Sequence, residues 1–252
     1  MKNNPIVSII SPSFNSENFI LETIDSVIKQ TFKDWELLII DDGSDDNSVK
    51  IIQEIASNEK RIHLFILKKN CGPAYARNFG IQLAKGRYIA FLDSDDIWHP
   101  NKLEVQINYM DENNIPFSFT SYRKIDENGN IFGKLINAPE MLNYNDLLKS
   151  CTIGCLTVVY DQNMIGKQFM PNYPKTQDYA LWLKIMKQGI IARGIDKELA
   201  YYRIRRSSIS RNKFIKAYFQ WKIYRRQEKL TLIKSIYFMM NYTLHGLLKL
   251  IR

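Results

Sequence analysis

For 252 residues the chain has little cysteine and little histidine, three of each. Cys71, Cys151 and Cys155 cannot build a disulfide framework. Cys151 and Cys155 lack a nearby second Cys/His pair, which reads against zinc. Buried, reduced thiols in a cytosolic protein are the expectation. Long hydrophobic runs are also missing. The first apolar stretch, Ile6 to Ile10, is broken at once by Ser11-Pro12, too soon for a signal peptide or a membrane span. No G-x-G-x-x-G and no P-loop occurs, which removes dehydrogenase and kinase-like readings. Internal repeats and low-complexity linkers are absent too.

What is present is ordinary in bulk: 45% hydrophobic and 24% charged residues, enough for one large core with an appendage. The net charge of +9 is unevenly spread. Residues 203–252 carry 13 Lys+Arg against one acid, Glu228, while the remaining 202 residues carry 22 bases and 25 acids. The basicity belongs to the tail, and basic tails seek nucleic acid or anionic membrane.

Residues 6–92 alternate strand and helix patterns. Ile6 to Ser11 reads as a strand. Glu17 to Gln30 reads as a helix with Ile20, Leu21, Ile24, Val27 and Ile28 on one face. Trp35 to Ile40 is a strand, 46–58 a helix, Ile62 to Leu67 a strand. Pro73 to Lys85 is a helix with Pro in its first turn and Gly86 beyond its end. Tyr88 to Leu92 is the fourth strand. This order predicts an α/β fold, a mostly parallel sheet with helices on both faces. Further on, Asn101 to Asn113 and Asp178 to Gln188 read as helices. Phe117 to Arg123, Cys155 to Tyr160 and Leu199 to Ile204 read as strands, and Asp126 to Asn130 as a turn. Residues 213–252 read as one or two helices.

The strongest signal is Asp93-Ser94-Asp95-Asp96 directly after the strand Tyr88 to Leu92. Three carboxylates at the C-terminal edge of a sheet strand call for something cationic, and that edge is where open α/β sheets bind ligands. Carboxylate oxygens suit Mg²⁺ or Mn²⁺, which suit phosphates. Taken alone, such a turn serves as a helix cap about as often. A second strand ends in Asp41-Asp42-Gly43-Ser44, and a parallel sheet brings both acidic ends to one edge. Trp98 and His99 read as packing and turn residues rather than catalytic ones.

Three further segments complete an ordered set: Val7 to Asn15, Gly72-Pro73-Ala74 with Ala76 to Ile81, and Gln177-Asp178-Tyr179-Ala180-Leu181-Trp182-Leu183. With them the chain resembles the family 2 glycosyltransferases of the GT-A fold, over about residues 5–210. It is most similar to small bacterial enzymes of teichuronic acid, O-antigen and capsule assembly. The resemblance implies a GT-A (Rossmann-like) catalytic domain over 1–210, with a nucleotide-sugar half to about residue 100 and an acceptor half beyond it. Residues 211–252 are then a basic, amphipathic helical tail. Pro12, Phe14, Asp41, Asp42, Arg77, Asp93, Ser94 and Asp95 would surround a UDP-sugar. Phe14 and Asp42, with Asp41, would hold the uridine. Asp95, with Asp93, would bind Mn²⁺ or Mg²⁺ on the diphosphate, and Asp178 would be the general base. Trp182, Arg203 and Arg205 are candidates for phosphate or acceptor contacts, with Arg206 a further cation there. Many relatives have Glu where Gln177 stands and His where Arg205 stands, which leaves a histidine role without a residue.

A base without an opposing carboxylate nucleophile implies inversion. Asp178 at a helix start is expected to be ionised, because the helix N-terminus favours negative charge. The donor implied is a UDP-hexose, glucose or galactose. The acceptor implied is a lipid-diphosphate-linked GlcNAc or GalNAc, with the enzyme cytoplasmic and peripheral on the inner face of the membrane. Aromatic and basic residues interleave from Tyr218 to Arg226, and the run from Ser235 to Leu248 is too short to span a bilayer. An interfacial position on anionic lipid suits such helices; packing on the catalytic domain or in a homodimer is the alternative. Nucleic acid is set aside as a partner, because it leaves the acidic sheet edge unexplained. A non-catalytic scaffold is the remaining rival, and a phosphatase reading fails because its nucleophile belongs on the first strand.

Overall fold

A computed structural model describes residues 4–205 and 213–251. In chain order the elements are β1 (Val7–Ser13), α1 (Ile20–Ile28), β2 (Trp35–Asp41), α2 (Ser48–Asn58), β3 (Ile62–Ile66), α3 (Pro73–Leu83) and β4 (Tyr88–Phe91). There follow β5 (Ile97–Trp98), α4 (Lys102–Asn113), β6 (Phe117–Ile125), β7 (Ile131–Ile136), β8 (Met141–Leu142) and α5 (Tyr144–Lys149). Then come β9 (Val159–Asp161), α6 (Gln162–Ile165), α7 (Gln177–Met186), β10 (Ala192–Arg203), α8 (Lys213–Lys222) and α9 (Leu232–Ile251).

One sheet runs in the order β3-β2-β1-β4-β9-β6-β10-β5, with β7 on β6 and β8 on β10. β3, β2, β1 and β4 are mutually parallel, as are β6 and β10. β9 lies antiparallel between β4 and β6 and joins the two parallel blocks. Alternation along the strands feeds two cores. Val7 and Ile9 of β1, with Tyr88 and Ala90 of β4, face the layer of α1, α2 and α4. Ile10, Ile89 and Phe91 face the layer of α3, α5 and α7. α3 lies so close to the sheet that a Cβ on Gly80 would come 2.7 Å from Ile10 and 2.8 Å from Ile40. Glycine there lets α3 sit down onto the sheet edge.

Several expectations are corrected. Leu21 is exposed. Ile20, Ile24 and Val27 recur at i, i+4 and i+7 and form the buried stripe, while Leu21 falls one step round the helix. The expected strand from Cys155 is a 3₁₀ turn, Cys155–Thr157, followed by the short β9. The turn at 126–130 is the tip of a β6–β7 hairpin, a strand that periodicity did not reveal. β10 begins seven residues before the expected Leu199, and its register against β6 shifts around Glu198. That irregularity broke the alternation a reader looks for. Among the cysteines only Cys155 is buried; Cys71 is exposed and none of the three forms a disulfide.

The tail helices contribute to the second core through Ile223, Tyr224 and Phe238. α8 runs into a π-helical turn, Ile223–Gln227. The Tyr224 hydroxyl donates to Leu148 O at 2.6 Å. The boundary drawn at residue 210, and Arg206, fall outside the described residues.

Candidate active site

The C-terminal ends of β1, β2 and β4 meet the N-terminal ends of α3 and α7. The loop after β1 is stitched to the loop after β2. Asn15 N donates to Ser44 Oγ (2.9 Å), Asp45 N to Asn15 Oδ1 (3.0 Å), and Glu17 N to Asp46 Oδ2 (3.0 Å). Phe14 projects from this double loop, 44% exposed. Pro12 is half-buried beneath it.

Asp41 and Asp42 are buried and serve the backbone. Asp41 accepts from Ser44 N (2.9 Å) and Ser44 Oγ (2.6 Å). Asp42 accepts from Cys71 N and Gly72 N, both at 2.7 Å. Gly72 stands at φ +89, a conformation open to glycine, and starts α3. Asp42 thereby fixes where α3 begins.

The Asp93–Asp96 turn is held differently. Asp93 pairs with Arg77 of α3. Asp95 Oδ2 pairs with Arg205 Nε at 2.8 Å. Asp96 Oδ1 accepts from Arg203 N at 2.9 Å, while Asp96 Oδ2 is buried with no hydrogen-bond partner among the described residues. Ser94 is buried within the turn. Burial, with the neighbouring carboxylates, pushes the Asp96 carboxyl well up. Burial also raises Asp95, against the pull of Arg205.

Arg77 is buried at the centre. Burial pulls its pKa down, but Asp93, Cys155 and Asp178 more than offset this and leave it raised. Gln177, turned to suit its neighbours, accepts from Arg77 Nη1 at 2.8 Å and donates to Tyr173 O at 3.2 Å. Asn78 clamps the loop before α7, donating to Met170 O (2.9 Å) and accepting from Met170 N (2.7 Å). Asp178 follows in the first turn of α7, after Thr176 at φ +61. Its carboxyl is raised by burial, against the Tyr179 N–H and Arg77. The N–H at the helix start pulls the pKa down as expected, but burial has the larger effect. A carboxylate pushed up towards the working pH is the stronger base.

Two candidates are corrected. Trp182 is wholly buried, its ring 5.8 Å from Phe91 and 5.3 Å from Phe117, centroid to centroid. It packs the core and presents no face to a phosphate. Arg203 is buried beneath the acidic turn. It pairs with Glu22 and donates to Asp95 O (2.8 Å), Asp126 O (3.1 Å) and Glu127 O (3.0 Å). It braces the turn from behind, with four of its five guanidinium N–H donors engaged there. Arg205 does lie at the site, on Asp95. Sequence reading passed over Glu22 and Lys216, and gave Asp96 no role beyond its place in the acidic turn. Lys216 lies near enough to Asp178 to act on its charge, and no motif marks it.

The donor set suits a hard divalent cation. Asp93 and Asp95 offer oxygen ligands, and the unpartnered Asp96 oxygen lies behind them. Among the described residues no three His, Cys, Asp or Glu are grouped to hold an ion alone. Mg²⁺ commonly takes one or two carboxylates and completes its shell with phosphate and water.

A mostly parallel sheet with an acidic edge and a buried carboxylate at a facing helix start is the arrangement of a glycosyltransferase. The chain belongs to the family Glycosyl transferase family 2, which it matches over residues 8–171, and its fold is GT-A. It is 42% identical over 245 residues, 97% of each chain, to a Bacillus subtilis (strain 168) protein named as a teichuronic acid biosynthesis glycosyltransferase, TuaG. It is 44% identical over 245 residues, 97% of this chain and 94% of the other, to WfgD of Escherichia coli. That protein is named a UDP-Glc:alpha-D-GlcNAc-diphosphoundecaprenol beta-1,3-glucosyltransferase. The fold is similar to Staphylococcus aureus TarS 1-349 in complex with UDP-GlcNAc, with TM-score 0.71 and 21% identity. The match covers 87% of this chain and 64% of that one.

Proposed function

We propose that the protein is an inverting hexosyltransferase that moves glucose or galactose from a UDP-sugar to a lipid-diphosphate-linked GlcNAc or GalNAc in bacterial surface polysaccharide assembly. The observation that carries this is the meeting of Asp93, Arg77 and Asp178 in one electrostatic cluster at the C-terminal sheet edge. Phe14 takes the uracil face, with Asp42 beside it using lone pairs left over from its backbone bonds. Asp93 and Asp95 would hold Mn²⁺ or Mg²⁺, and the chemistry such an ion would supply is charge neutralisation on the departing diphosphate. Asp178 takes the proton of the attacking acceptor hydroxyl. Arg77 keeps Asp93 and the start of α7 in fixed relation. Arg205, which pairs with Asp95, would offer its guanidinium to a phosphate oxygen.

The names of TuaG and WfgD support the polysaccharide setting, and that of WfgD the donor and acceptor. UDP binding by calorimetry, with and without Mn²⁺, on wild type and Asp95→Asn tests the donor site. Metal-dependent binding lost in the variant is expected. Absence of UDP binding under every condition would return the reading to a scaffold.

The acceptor class places the protein on an anionic membrane surface. Among the described residues no helix is long and apolar enough to cross a membrane. α9 exposes Ile233, Ile236, Tyr237, Met240 and Leu244 along one face, Ile233 at 81%. Exposed Arg225, Arg226, Lys229 and Lys234 lie alongside in sequence. A homodimer through this face would set like charges against each other, whereas anionic lipid complements both features. Sedimentation with phosphatidylglycerol vesicles but not phosphatidylcholine vesicles at low salt is expected; equal recovery in the supernatant with both would sink this placement.

A further inference from the structure

Beside the start of α7 lies a groove of about 620 Å³, between the segment 171–174 and the wall made by α8 and the π-helical turn. Its lining includes Tyr173, Phe219, Lys222, Arg226 and Gln227. The composition is two aromatic rings with two cations. Among the described residues neither Lys222 nor Arg226 has a carboxylate within ion-pair distance. Lys222 Nζ instead sits 4.5 Å from the Tyr218 ring centroid. The one acid near by, Glu228, is buried and already paired with Lys187 at 3.0 Å and with the Tyr144 hydroxyl at 2.6 Å. Two cations held next to aromatic surface without counter-charge form a site for an anion attached to something less polar.

The groove is placed to serve the base. Tyr173 and Pro174 stand just before Thr176 and Asp178, and Tyr173 O is tied to Gln177, which is tied to Arg77. From the other side, α8 passes Lys216, whose charge acts on Asp178, and continues to Lys222. Six residues of helix advance about 9 Å, so Lys222 lies less than two turns along α8 from Lys216, and an acceptor whose hydroxyl met Asp178 would have its anomeric end within reach of the groove. The π-helical turn Ile223–Gln227 forms part of this wall, and such turns within helices recur at functional sites. An adjoining recess of about 430 Å³, lined by Lys184, Lys187 and Gln188, prolongs the groove past Pro171 and Gln227.

We propose that this groove is the subsite for the acceptor's diphosphate, Lys222 and Arg226 receiving the phosphates and Tyr173 and Phe219 flanking the junction with its apolar chain. The proposal rests on the hexosyltransferase reading for the identity of the acceptor, and its test can fail separately from that reading.

The test uses the full chain and two soluble probes, farnesyl diphosphate and farnesyl monophosphate, with binding measured by calorimetry. Wild type is expected to favour the diphosphate at least about tenfold, and the double variant Lys222→Ala/Arg226→Ala to lose about 10- to 100-fold of diphosphate affinity. UDP affinity should be unchanged in that variant, which also shows that it folds. The charge-preserving pair Lys222→Arg/Arg226→Lys should keep most of the diphosphate binding. Equal affinity for the two probes would mean a general site for anionic headgroups and would overturn the proposal. So would an equal loss on Lys229→Ala/Lys234→Ala, which removes the same charge elsewhere. If wild type transfers hexose and binds UDP while the groove variant binds diphosphate normally, the groove fails and the enzyme reading stands. If wild type binds the diphosphate through the groove but never binds UDP, the enzyme reading fails and the groove stands.

Discussion

Two acidic strand ends flank β1 on this sheet and are held by opposite means. At the end of β2, Asp41 and Asp42 receive hydrogen bonds from Ser44, Cys71 and Gly72, so their charge is spent on the protein's own backbone. At the end of β4, Asp93 and Asp95 are balanced by guanidinium groups, those of Arg77 and Arg205. Backbone donors cannot leave without unmaking the loop, whereas a side chain can swing away. The same residue type therefore serves as a fixture at the end of β2 and, at Asp95 with its part-exposed Arg205, as an exchangeable contact at the end of β4. The partner decides, and for Asp42 and Asp95 it lies far away in sequence.

The largest expected break of this contrast comes from the exchangeable side. Asp95→Asn and Asp178→Asn should each lower kcat by about 10²- to 10⁴-fold in a hexosyl-transfer assay, with little change in the circular dichroism spectrum. Asp178 adds a pH signature. Burial raises its pKa, so activity should climb with pH through the raised value. Its folded pKa lies above the unfolded one, so its contribution to stability is fullest below the ordinary 3.8 and is lost as the pH rises through the folded value. Asp178→Asn should accordingly melt no lower than wild type at pH 7.5.

On the fixture side the effect should fall on stability. Asp42→Ala frees two backbone N–H groups at the start of α3 and should cost about 2–4 kcal/mol in urea unfolding. Asp42→Asn should keep more of that stability yet weaken UDP binding; unchanged UDP affinity would leave Asp42 a fixture alone and remove it from the uridine site.

A smaller effect concerns a buried cation remote from both ends. Lys102 is wholly buried, donates to Gln106 Oε1 at 2.7 Å and lies 4.2 Å from the Trp98 ring centroid. Burial pushes it down to about 7. Its folded pKa is below its unfolded one, so stability should rise as the pH rises through about 7. Lys102→Met should flatten that slope in urea melts compared between pH 6 and pH 8.5. The smallest effect is expected from Ile233→Ser on exposed α9. Thermal stability should shift by no more than about 0.5 kcal/mol, while binding to phosphatidylglycerol vesicles falls.

Much of this was readable before the fold was known, for a local reason. The strands of the first half are continuous apolar runs between glycine, proline and acidic turns, so periodicity and punctuation both speak, and the order β1 to β4 followed. The ordered motifs identified the family. What the sequence concealed depends on distance. Arg203 reads as a spare cation until the fold wraps it in Glu22 and the carbonyls of residues 95, 126 and 127. Trp182, next to the candidate base in a motif, reads as a ligand contact until Phe91 and Phe117 close over it. The shifted register of β10 hid a long strand because side-chain alternation lapses where the pairing slips.

The burial of Glu228 has a consequence at long range. The tail's one acid is neutralised inside the protein by Lys187, so nothing on it offsets the outward cations. With 13 bases and one acid in residues 203–252 and a slight acidic excess elsewhere, the molecule is a permanent electric dipole. Near a negatively charged surface it will turn before it touches, arriving helices first.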